Sequence, residues 1–118
     1  MAVIGHFIGG QHVRPEGSKT LQLIDPATGH AIDQIALGGA KDIQAAVDAA
    51  QAALPSWAGT PPARRAAVLF RFRDLIEKHA DELAGLITRE HGKVLADARG
   101  SLQRGLEVVE FACGIPHL

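Results

Sequence analysis

At 118 residues and 12.4 kDa the chain has room for one small domain. An apolar share of 47% with 21% charged residues belongs to a folded rather than a disordered protein. Twelve basic against 13 acidic residues leave a net charge of −1, so no overall field draws the chain to nucleic acid or to an anionic membrane. The apolar runs are a few residues long, too short for a membrane span, and Met1 to Gly5 shows no basic-then-apolar leader. A single cysteine, Cys113, can form neither an intrachain disulfide nor a Cys-rich metal site, and a reducing cytoplasm is the expected compartment.

Two textures follow one another within a single unit spanning residues 1–118. Residues 1–39 carry seven glycines among short apolar runs, Phe7-Ile8, Leu21 to Ile24 and Ile32 to Leu37, and read as short strands joined by turns. Gly9-Gly10 between Phe7-Ile8 and His12-Val13 has hairpin spacing, because glycine accepts positive φ without a steric penalty. In Asp25-Pro26-Ala27-Thr28-Gly29, Pro26 fixes φ, Asp25 can cap locally and Gly29 allows a left-handed residue, which specifies a turn.

From residue 40 the apolar period becomes helical, and residues 40–118 read as about four helices. Ile43, Ala46, Val47, Ala50 and Leu54 share one face of the first, with Gly39 and Asp42 at its start and Pro55 expected to end it. Thr60 is placed as the N-cap of a second helix, with Pro61 as its first residue and Val68, Leu69, Phe72, Leu75 and Ile76 as its stripe. Ala80 to Glu90 is a third, with Leu83, Leu86 and Ile87 inward and Gly92 just past its end. A fourth runs from about Leu95 to Cys113 with Ala98, Leu102, Leu106 and Val109 aligned. Gly100 and Gly105 each cost it about 1 kcal/mol relative to alanine, which points to close backbone packing or a weaker element. The local fold class is therefore α+β, mostly helical, with short N-terminal strands and a hairpin.

No catalytic constellation emerges from the residues themselves. A nucleophilic cysteine needs a base or a helix N-terminus beside it, whereas Cys113 falls near the end of a helix amid Phe111, Ala112 and Ile115, and reads as a buried structural thiol. The six histidines are scattered without metal-ligand spacing. Gly92-Lys93 lacks the strand and glycine loop that cradle a phosphate, so Lys93 reads as a solvated side chain beside a helix-ending glycine. Arg64, Arg65, Arg71 and Arg73 are followed by Asp74, Glu77 and Asp81, with few aromatics interleaved. That pattern is an ion-paired helix face rather than a nucleic-acid surface.

The order of the parts nevertheless resembles the N-terminal segment of the aldehyde dehydrogenase superfamily. The matching residues are Phe7-Ile8-Gly9-Gly10, Asp25 to Gly29, Ala45 to Ala50 with Ala53, Trp57, Arg65, Leu75 to Ile87, and Glu90-His91-Gly92-Lys93. Arg104 to Cys113 looks most like the CoA-acylating methylmalonate-semialdehyde dehydrogenase branch. That branch usually carries an acidic-hydrophobic pair before its Arg-Gly, where this chain reads Ser101-Leu102-Gln103.

The resemblance covers about the first quarter of such an enzyme. It implies that the catalytic cysteine, the glutamate base and the NAD-binding strand-turn-helix all lie later, so that no catalytic or cofactor-binding residue is assigned here, while NAD and coenzyme A serve the parent. It further implies that this stretch is the outer part of a Rossmann-like α/β cofactor domain. Many members hold a monovalent cation with a backbone carbonyl and an acidic side chain at the places taken here by Ile24 and Glu90. The expected function is thus an inactive N-terminal piece of an NAD-dependent (methyl)malonate-semialdehyde dehydrogenase. A chain closing on Pro116-His117-Leu118, apolar and just after a helix, looks cut. The alternative is a helical module that pairs with itself or a partner through bare apolar faces, giving a homo-oligomer.

Overall fold

The computed structural model describes residues 2–14 and 17–118. They cluster into two compact units, residues 1–58 and 59–118.

The first unit holds β1 (Val3–Ile4), β2 (His6–Ile8), β3 (Gln11–Val13), β4 (Thr20–Ile24), β5 (Ala31–Ala36) and α1 (Ala40–Ala58). β2 and β3 form the hairpin foreseen at Gly9-Gly10: both glycines have positive φ, 59° and 79°, and Ile8 faces Gln11 across a two-residue loop. β5 lies between β1, parallel to it, and β4, antiparallel, with an irregularity between Leu23 and Ile24. The Asp25 turn forms as its residues dictate. The Asp25 carboxylate accepts the Ala27 N–H at 2.8 Å, its carbonyl accepts the Gly29 N–H at 2.8 Å, and Gly29 takes φ 73°.

Helix α1 starts where expected, the Asp42 carboxylate reaching back to the Gly39 N–H at 2.7 Å as in a capping box. Its end differs. Pro55 lies inside the helix, which continues to Ala58. A proline there removes a single backbone bond, the one to the Gln51 carbonyl, and the turn that remains is short; the Ser56 hydroxyl donates to the Ala53 carbonyl at 3.0 Å within it. No residue of α1 is buried, and Ile43, Val47 and Leu54 on its apolar stripe are exposed.

The second unit packs α2 (Pro62–Lys78), α3 (Ala80–His91) and α4 (Leu95–Cys113), followed by a short 3-10 turn, Ile115–His117. Helix α2 begins one residue later than expected: Pro61, with extended backbone, holds the N-cap position and Pro62 the first turn. The Pro61 carbonyl accepts from Arg64 and Arg65 at 2.9 and 3.1 Å. Two adjacent prolines explain the shift, since the residue before a proline is disfavoured in the helical region. Helix α3 runs to His91 and stops at Gly92 (φ 84°), whose N–H donates to the Thr88 carbonyl at 2.8 Å. Helix α4 has the expected bounds.

Alanines make the centre of this unit. Ala84 and Ala98 are fully shielded at 0%, with Ala66, Leu106 and Cys113 also buried. Ala84 takes the inward place on α3 expected of Leu86, which is 42% exposed, because helices meeting at small residues leave larger neighbours at the rim. Val68, Phe72 and Leu75 of the α2 stripe are likewise exposed.

Candidate functional site

Each chemically capable group has a definite place. Cys113 is a free thiol, 4% exposed, in the last turn of α4. It borders a cavity of about 460 Å³ together with Phe70, Arg73, Asp74, Glu110 and Gly114. The lining offers no histidine, and its one cation is engaged: Arg73 Nε donates to Glu110 at 3.0 Å while Nη1 reaches Glu77 at 2.6 Å and Asp74 at 3.4 Å. The hydrogen bond to Glu110 and then the charge of Glu77 raise the guanidinium pKa above its usual value. The thiol thus sits shielded, in a cavity without the histidine or free cation that lowers a thiol's pKa.

The ion-paired face foreseen on α2 is present, but its longest link was not legible. Asp74 and Glu77 lie within a turn of Arg73, whereas Glu110 is 37 residues away on α4 and no local spacing announces it. Asp81 pairs not with the α2 arginines but with Arg99 of α4 at 2.9 Å. Lys93 also departs from expectation: its Nζ donates to the Ser101 hydroxyl at 2.8 Å in a partly buried contact, which ties the α3–α4 connection to α4. Among the described residues no group of three or more His, Cys, Asp or Glu side chains gathers as a metal site, and no helix is long and apolar enough to cross a membrane. Ile24 ends β4 in the first unit and Glu90 stands in the last turn of α3 in the second, both exposed.

One strand-turn-helix deserves a test as a phosphate cradle: β5, Gly38-Gly39 and the start of α1. It is filled from within. The Gly39 N–H is taken by Asp42, a carboxylate that would repel an anion, and the His6 ring lies 3.3 Å from where a Gly38 side chain would begin. These residues do not fit a dinucleotide.

The remaining concave surface is apolar. Phe72 and Ile76 of α2, Ile87 of α3 and Leu102 and Val109 of α4 line a groove of about 330 Å³ at whose floor Gly105 lies. Gly105 meets nothing within 4 Å of where its side chain would begin, and Gly100 only the tip of Arg104 at 3.9 Å. Of the two alternatives at these glycines, close backbone packing is not seen within the described residues, which leaves the weaker helix.

With that geometry in view, comparison with known proteins is decisive. The aldehyde dehydrogenase family matches residues 12–117. The chain belongs to the aldehyde dehydrogenase family. It is 45% identical over 118 residues to a malonate-semialdehyde dehydrogenase of Pseudomonas aeruginosa, covering 100% of this chain and 24% of that protein. The crystal structure of a methylmalonate-semialdehyde dehydrogenase from Oceanimonas doudoroffii superposes with a TM-score of 0.96 at 49% identity, over 99% of this chain and 24% of that one. A Sinorhizobium meliloti protein assigned the same activity, solved with NAD, gives 0.94 at 45%, over 98% and 23%. The chain spans about a quarter of the length of these relatives and corresponds to the N-terminal part of the aldehyde dehydrogenase fold. The α+β, mostly helical reading and the family resemblance both hold.

Proposed function

We propose that the chain is the N-terminal segment of an NAD-dependent, CoA-acylating (methyl)malonate-semialdehyde dehydrogenase, a cytoplasmic homo-oligomer, and has no activity alone. The observation that carries this reading is the match along the whole chain to proteins named for that activity, over only 24% of their length. Its support in the geometry is twofold: the cavity beside Cys113 is lined by no histidine and its carboxylates Asp74 and Glu110 are engaged by Arg73, and the Gly38-Gly39 turn is closed by Asp42 and His6. Redox and acyl-transfer chemistry then belong to residues outside these 118, and this stretch serves as scaffold on the outer side of a Rossmann-like cofactor domain. In that parent the Ile24 carbonyl and the Glu90 carboxylate supply oxygen donors to a monovalent cation, hard ligands for a hard ion. The purified chain, given NAD, coenzyme A and malonate semialdehyde, should form no NADH above background. NADH formation abolished by Cys113→Ala would overturn the reading.

A second reading rests on the exposed apolar side chains of both units, among them Phe70, Phe72, Val108 and Phe111. By this reading the chain is a non-catalytic module that associates with itself.

A further inference from the structure

We draw no further inference here: the strongest candidate, the apolar groove that Phe72, Ile76, Ile87, Leu102 and Val109 wall around Gly105, is an unpartnered face of α2, α3 and α4, and nothing in the structure shows what covers it.

Discussion

The two units solve the same problem by different means. In residues 1–58 conformation is set by backbone chemistry at particular positions: two left-handed glycines in the hairpin, an Asp25 side chain folded onto its own turn, Asp42 closing the start of α1. Ala36 is the one buried hydrophobic residue among those described there. In residues 59–118 the centre is a seam of small side chains where three helices meet, and Leu106 is the largest buried residue described. One unit is specified by which φ/ψ each residue tolerates, the other by volume at a helix crossing. Among the described residues neither fully encloses a large aromatic or aliphatic side chain, so much apolar surface in both units stays open to further contacts.

That contrast predicts where substitutions hurt. The largest effect should come from Gly5→Ala in the first unit, whose new methyl would overlap the Val13 carbonyl, a backbone atom fixed by the β2–β3 ladder. A loss of about 3 kcal/mol in urea unfolding is expected. A loss below about 1 kcal/mol would mean that the hairpin shifts freely, and that backbone geometry does not govern this unit. Next, Ala84→Leu in the second unit should cost about 2 kcal/mol, because the site is fully shielded and the added methylenes have no void to fill. The same change at Ala45, on an exposed part of α1, should be nearly neutral. Equal responses at the two alanines would remove the packing argument.

How far each unit can be read from its residues follows from the same distinction. The Gly9-Gly10 hairpin, the Asp25 turn, the Asp42 cap and the Gly92 stop all depend on neighbours within five residues, and all are legible as spacing. Helix α4 is equally legible, its period sustained from Leu95 to Cys113. What escapes is decided at a distance. Ala84 displaces Leu86 from the seam because α4 crosses α3 there, Lys93 finds Ser101 eight residues on, and Arg73 finds Glu110. Pro55 escapes for an energetic reason: a rule about proline forbids one hydrogen bond, and one bond near a helix end does not outweigh the rest of the turn. The candidate site is the least legible, since the family's chemistry is assigned by resemblance while the groove around Gly105 exists only once three helices have met.

Glycine provides the smaller pair of tests. Gly10→Ala forces a side chain onto φ 79° with nothing nearby to clash, so it should cost the left-handed penalty alone, about 1 kcal/mol. A cost near zero would show that the turn changes type to suit the new residue.

The opposite sign is expected at Gly100. It sits inside α4 with helical backbone, its absent side chain would meet only the flexible tip of Arg104, and the unfolded chain loses freedom when alanine replaces it. Gly100→Ala should therefore raise stability by about 0.5–1 kcal/mol, read as a higher urea midpoint with an unchanged slope. If the substitution instead destabilises, something approaches Gly100 as closely as a second helix would. The sign of a single methyl group thus separates a glycine that the fold requires from one that it merely carries.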